Sequence, residues 1–295
     1  MRDKKTPTAA TTNVRVVAPA VVAGEAAAAA VTLPEFDSQL PLRAAAFFDI
    51  DNTIVRGASL FHLARGLASR DFFKASDVAT FAWKQVKYRV AGSEDADDMA
   101  SAIEVALSFV AGHTVDEVTT LGDEIFDERL EGKLYAGTIE LAHEHLDAGE
   151  QVWLVSAAPV EIAGIIASKL GLTGALGTVS EVQDGKYTGR LVGAPLHGPA
   201  KAEAVKALAH REDLDLSQCS AYSDSFNDVP MLSLVGMPVA INPDGKLRRH
   251  ARSLGWRVHD YRTGRKAAKV GVPSALVTGA AAGIALGVLS SRRKR

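Results

Sequence analysis

Cysteine is almost missing. Cys219 is the sole example in 295 residues, so no intramolecular disulfide can form and no Cys-rich zinc site can be built, which fits a reducing compartment. An excess of one charge is missing too. Thirty-three Lys and Arg face 35 Asp and Glu, for a net charge of -2, whereas a nucleic-acid partner normally shows as a basic domain or stripe. His113, His143, His145, His197 and His210 have no metal-ligand spacing, which leaves solvated or capping roles. No internal repeat is present. Near the N-terminus Lys4 and Lys5 precede an apolar stretch, but Asn13, Arg15 and Glu25 interrupt it, so no signal-peptide core emerges. Residues 1–42, rich in Ala, Thr, Val and Pro, read as an unpacked, disordered extension.

What remains is 47% hydrophobic and 23% charged, enough for one globular unit plus extensions. Ala44-Ala45-Ala46-Phe47-Phe48 runs into Asp49, as a buried parallel strand does when it delivers residues at its C-terminal end. Apolar residues at three- and four-residue spacing predict helices near 59–69, 72–90, 97–111, 115–130 and 137–148. Gln151 to Val155 reads as a second buried strand and Pro159 to Leu170 as a helix opening on proline. Residues 175–195, with the turn Asp184-Gly185, predict a β-hairpin excursion. A helix at 199–210, a strand at 217–222, a short helix at 229–235, a strand at 237–241 and a helix at 244–253 complete an alternating α/β series.

Open parallel sheets bind ligands beyond the carboxyl ends of their strands, and four such places carry unusual chemistry. Asp49-Ile50-Asp51-Asn52-Thr53 sets two carboxylates at a strand end, where unequal environments let one act as nucleophile and the other as proton donor. Ser156 follows the second strand and offers a hydroxyl and neighbouring amides to an oxyanion. Lys201 lies in the first turn of the helix after His197-Gly198-Pro199, where an ammonium and a helix N-terminus favour phosphate. Ser223-Asp224-Ser225-Phe226-Asn227-Asp228 supplies carboxylates suited to Mg²⁺.

In this order the four motifs resemble the haloacid dehalogenase superfamily, in particular its IB branch, which includes phosphoserine phosphatases. The match runs over roughly Ala44 to Asp260. The resemblance implies an α/β fold, a Rossmann-like parallel sheet at 43–57 and 150–261 with a helical C1-type cap inserted at 58–149. It implies a Mg²⁺-dependent phosphatase in which Asp49 attacks phosphorus and Asp51 protonates the leaving alcohol and later activates water. Thr53 would support that loop at the phosphate, and Ser156 and Lys201 would grip phosphoryl oxygens. Asp49, the Asp51 backbone carbonyl and Asp224 would bind Mg²⁺, with Asp228 either behind these ligands or as a further acidic partner and Asn227 close to substrate. Where phosphoserine phosphatases carry a substrate-recognising glutamate nine residues after the nucleophile, this chain has Ala58, which argues against phosphoserine and for another phosphomonoester of a small molecule or lipid. Arg56 and Ser59 are candidate contacts for that leaving group, or else a solvated loop residue and a helix cap. Trp83, Tyr88 and Phe109 read as packing residues of the cap.

The C-terminal segment 262–295 is basic at both ends of an apolar stretch. Val270 to Ser291 holds no charge, and at about 1.5 Å per residue it is long enough for a ~30 Å hydrocarbon layer. Ala and Gly dominate it, so its insertion tendency is weak. The expectation is a cytoplasmic catalytic domain anchored to a membrane through 270–291, against the alternative of a flexible or core-packed tail.

Overall fold

The computed structural model describes residues 18–31, 43–70, 72 and 110–262. Six strands, β1 (Ala45–Phe48), β2 (Gln151–Pro159), β3 (Gly174–Thr178), β6 (Ser220–Ser223), β7 (Met237–Ile241) and β8 (Arg257–His259), form one sheet. Its order is β3-β2-β1-β6-β7-β8, and each neighbouring pair is parallel. The chain therefore builds outward from β1 to one side and then returns to build on the other, which makes the gap between β1 and β6 a topological switch point.

Strand alternation explains the two apolar layers. Side chains two apart share a face. Ala45, Phe47, Trp153 and Val155 point to one side, where they pack against helices α1 (Pro19–Ala29), α6 (Pro199–Arg211), α7 (Val229–Leu232) and α8 (Gly245–Ser253). Ala46, Phe48, Val152 and Leu154 point to the other, where α4 (Ala136–Asp147) and α5 (Val160–Lys169) lie on the strands and α2 (Ser59–Ala68) and α3 (Val115–Ile125), packed on each other, extend the same apolar cluster. Helices on both faces of a parallel sheet give the expected α/β fold.

Several local readings change. Residues 19–29, expected to be unpacked, form α1, and Ala23, Gly24, Ala27 and Ala28 are buried against α6. Small side chains allow this close approach: a Cβ on Gly24 would sit 2.7 Å from the Ala204 nitrogen. Gly174–Thr178, whose residues 175–178 fall in the expected hairpin excursion, is instead a strand of the main sheet, and Gly174 leaves room there for the Trp153 ring. The antiparallel hairpin is confined to β4 (Ser180–Gln183) and β5 (Lys186–Leu191). Its turn is Asp184-Gly185, both at positive φ as a type I′ turn requires. The edge strand β8 was not anticipated, since three residues are too few to show alternation. The helix expected at 115–130 is regular to Ile125 and then widens into a π turn over Phe126–Leu130.

The chain leaves and rejoins the sheet at one place. Val55 pairs with Leu134 in an antiparallel bridge, Arg56 N donates to Lys133 O at 2.9 Å, and Tyr135 N donates to Ile54 O at 2.8 Å. Beyond that junction α4 packs on β1 and β2, so this helix, assigned from sequence to the cap, belongs with the sheet. The other helices expected near 72–90 and 97–111 lie, apart from residues 72 and 110–111, outside the described residues, as do Trp83, Tyr88, Phe109 and Val270 to Ser291. Among the described residues no helix is long and apolar enough to cross a membrane.

The close α1–α6 contact generates a test. Gly24→Leu introduces a branched side chain where backbone is already in contact, and overpacking of this kind costs about 1–3 kcal/mol. Thermal unfolding of the variant should show a lowered midpoint; an unchanged or raised midpoint would mean α1 does not seat on α6.

Candidate active site

The first loop is built tightly because its backbone turns back on itself. Ile54 N and Val55 N both donate to Ile50 O at 2.9 Å, and Asn52 N donates to Val55 O at 2.7 Å. Asn52 takes a left-handed conformation, φ 58°, which asparagine tolerates better than most residues. Asp49 leaves β1 directly toward the switch point, and its amide donates to Tyr222 O of β6 at 2.9 Å. In register, Phe48 lies beside Leu154 and Tyr222, so Ser156 and Asp224 each stand two residues further along the flanking strands.

The decisive contact is ionic and dry. Lys201 Nζ donates to Asp49 Oδ1 at 2.5 Å and to Asp228 Oδ2 at 2.8 Å. The three residues are 3%, 5% and 2% exposed. Ser223 Oγ donates to the same Asp228 oxygen at 2.7 Å. Lys201 arrives in the first turn of α6, reached through Gly198 at φ 53°, ψ −118°, a backbone conformation suited to glycine. Burial works against the Lys201 charge, but Asp228 and Asp49 outweigh it and hold the ammonium's pKa above its ordinary value.

Negative charge exceeds what this ammonium can balance. Burial is the main influence raising the Asp49 carboxyl above its usual range; Lys201 opposes the rise, and Asp228, Asp224 and Asp51 add to it. Asp224 is pushed up to about 7 by burial and then by Asp228, with Lys201 and the Asn52 side chain pulling the other way. Four carboxylates around one ammonium form a site with room, electrostatically, for a cation. Among the described residues no group of three His, Cys, Asp or Glu side chains is arranged to hold a metal ion by itself. Magnesium does not require such a cage, since it keeps several waters and uses one or two carboxylates plus substrate phosphate. Asp49 and Asp224 fit that pattern. Asp228, expected either as a further acidic ligand or as a group behind the ligands, accepts from Lys201 and Ser223.

The remaining expected residues divide. Asp51 Oδ1 accepts from Ser59 N at 2.8 Å, which holds the carboxylate at the N-terminus of α2. Thr53 is fully buried and its Oγ1 has no hydrogen-bond partner, as is also true of Ser59 Oγ. Ser156 is buried within β2, its Oγ accepting from Ala158 N at 3.1 Å. Arg56 is engaged elsewhere: its Nε donates to Lys133 O at 3.1 Å and its guanidinium lies over the Tyr135 ring, so it ties the junction at Val55 and Leu134. Asn227 is exposed, with its amide donating to Ser225 Oγ at 3.2 Å. Ala58 is exposed at the N-cap of α2 and brings no carboxylate there.

Sequence reading missed Asn242 and Asp244, which follow β7 and bond to the first and fourth loops. The available signal was a fifth strand end carrying Asn-Pro-Asp-Gly.

The haloacid dehalogenase-like hydrolase family matches residues 46–233. The chain belongs to the haloacid dehalogenase-like hydrolase family. Phosphoserine phosphatase SerB1 of Mycobacterium tuberculosis is 56% identical to this hydrolase over 260 residues, covering 88% of this chain and 84% of that one. A histidinol-phosphatase of Neisseria meningitidis is 28% identical over 74% of this chain and 98% of its own. A protein of unknown function from Bordetella pertussis shares the fold of this hydrolase with TM-score 0.67, 29% identity, and coverage of 75% of this chain and 99% of that one. A phosphoserine phosphatase solved as a phospho-aspartyl intermediate analogue is similar in fold at TM-score 0.51 and 20% identity, covering 77% of this chain and 97% of its own.

Removing one partner of a buried ion pair strands the others. Lys201→Met leaves Asp49 and Asp228 without their cation, and losses of about 3–5 kcal/mol are typical of such a break. Urea unfolding followed by tryptophan fluorescence should move to a clearly lower midpoint; a wild-type midpoint would show that the ammonium does not hold these carboxylates.

Proposed function

We propose that this hydrolase is a Mg²⁺-dependent phosphatase that cleaves a small phosphomonoester through an aspartyl-phosphate on Asp49. The observation that carries the reading is the buried Lys201 ammonium touching the carboxylate of Asp49 at the switch point of the sheet. An ammonium fixed there favours a phosphoryl group beside a carboxylate that would otherwise repel it.

In this reading an Asp49 oxygen attacks phosphorus while the bond to the substrate oxygen breaks, and Asp51 gives its proton to the departing alkoxide. Water then attacks phosphorus, Asp51 takes a proton from it, and the bond to Asp49 breaks, which restores both carboxyl groups and releases phosphate. Asp51 is held for this by the Ser59 amide, close to Asp49 yet in a different environment, which is how two carboxyls acquire different roles. Lys201, Ser156 and the buried Thr53 hydroxyl would hold phosphoryl oxygens. Asp49, the Asp51 carbonyl and Asp224 would hold Mg²⁺, which when bound offsets the charge of the phosphoryl group. Asp228 would act on Lys201 rather than on the metal.

Two observations bear on the substrate. The relative at 56% identity carries the name phosphoserine phosphatase, which favours phosphoserine. Ala58, standing where that activity's substrate-recognising glutamate is expected, favours a different leaving group. We favour a small phosphomonoester other than phosphoserine, and keep phosphoserine as the second reading. A lipid phosphate belongs in the same panel because Val270 to Ser291 is uncharged and flanked by basic residues.

The test is phosphate release by the full chain with Mg²⁺ across a panel containing phosphoserine, histidinol phosphate and a phosphatidic acid. Release should stop with EDTA, return with added Mg²⁺, and fall by several orders of magnitude in Asp49→Asn. Release that is undiminished in Asp49→Asn would remove the nucleophile assignment, and release indifferent to EDTA would remove the metal.

A further inference from the structure

The chain carries a fifth strand-end loop, Asn242-Pro243-Asp244 after β7, that touches both carboxylate-bearing loops without contributing to the Lys201 cluster. Asn242 is fully buried and left-handed, φ 48°. Its Nδ2 donates to Asn52 O at 2.8 Å, in the loop that carries Asp49 and Asp51. Its Oδ1 accepts from Tyr261 N at 2.7 Å, and its own amide donates to His259 O at 2.7 Å. Both polar groups of that side chain are thereby directed, and among the described residues its donor end has a single receiver.

Two residues on, Asp244 grips the other loop. Its amide donates to Asp224 O at 2.8 Å, and its Oδ2 accepts from Phe226 N at 2.9 Å. Its Oδ1 accepts from Leu247 N at 2.7 Å and so caps α8. One short loop, anchored at a helix start, is therefore bonded to the backbone beside Asp51 and to the backbone of Asp224.

We propose that Asn242 and Asp244 are positioning residues that set the separation of the Asp49–Asp51 loop and the Asp224 loop, and through it the affinity for a divalent cation. The inference rests on the reading that these two loops share Mg²⁺. A cation coordinated by groups on two separate loops is sensitive to their spacing, and outer partners that orient metal ligands change affinity by about 10–100-fold when removed. The loop also links this spacing to the 259–261 segment, since Asn242 holds Tyr261, whose ring lies against Gly137 of α4.

The experiment measures Mg²⁺ binding to the resting full chain by titration calorimetry, alongside the Mg²⁺ concentration for half-maximal phosphate release and thermal unfolding. Asn242→Asp keeps the acceptor for Tyr261 N but replaces the donor facing Asn52 O; Asn242→Ala removes both. Asn242→Asp and Asn242→Ala should each weaken Mg²⁺ binding about 10–100-fold, with the half-maximal Mg²⁺ concentration rising in parallel and most of the turnover recovered at saturating Mg²⁺. Asp244→Asn, which weakens the grip on Phe226 N, should move binding in the same direction and serves as the measurement if the Asn242 variants do not fold. Wild-type Mg²⁺ affinity in a folded Asn242→Asp, or in Asp244→Asn where that variant is the readout, overturns the inference, even if the melting temperature falls. If the wild-type chain itself binds no Mg²⁺ and releases no phosphate, the proposed function fails and takes this inference with it; if it does both and the variants bind normally, only the inference fails.

Discussion

Placing the Lys201 ammonium between Asp49 and Asp228 takes three charged groups out of water, and desolvation on that scale is tolerated only when geometry is good and the remaining polar atoms are satisfied. Much of the surrounding structure meets that condition. Gly198 turns the chain so that the first turn of α6 faces the switch point. Ser223 gives a further hydrogen bond to Asp228, and the Asp49 amide is fixed to Tyr222 of the next strand. The Ala-rich helix α1 lies along α6, so it supports the helix that carries the lysine.

The same charge balance leaves carboxylate in excess of the one ammonium. Asp51 and Asp224 approach the ion-paired cluster without joining it, and their charges add to the upward pressure on the Asp49 carboxyl. An arrangement with surplus carboxylate at a parallel-sheet switch point is suited to receive a metal together with a phosphate, each offsetting the other. Arg56 shows the opposite outcome. Its charge is taken up by carbonyls and an aromatic face where the chain leaves and rejoins the sheet.

Much of the fold and the cluster was legible from local pattern. Continuous apolar runs marked β1 and β2, the Asp184-Gly185 pair marked the hairpin turn, and carboxylates just beyond β1 and β6 with a lysine in the first turn of α6 marked the groups that meet. These signals are local because strand burial, turn conformation and helix starts depend mainly on neighbouring residues. The packing of α1 was not legible, because an Ala-rich segment looks the same whether or not a partner surface is near enough to accept it. Nor was the parallel pairing of Gly174–Thr178, which depends on the Trp153 ring filling the space its glycine leaves.

The sequence by itself determined the chemistry available: which carboxylates, hydroxyls and ammonium the strand ends carry, and their order along the chain. Only the tertiary structure decided how they are shared. That Asp228 serves Lys201, that Arg56 closes the junction, and that Asn242 bonds to Asn52 across 190 positions of sequence are properties of spatial neighbours. A hydrogen bond or ion pair is fixed by distance and angle at the folded site, and no spacing along the chain encodes those.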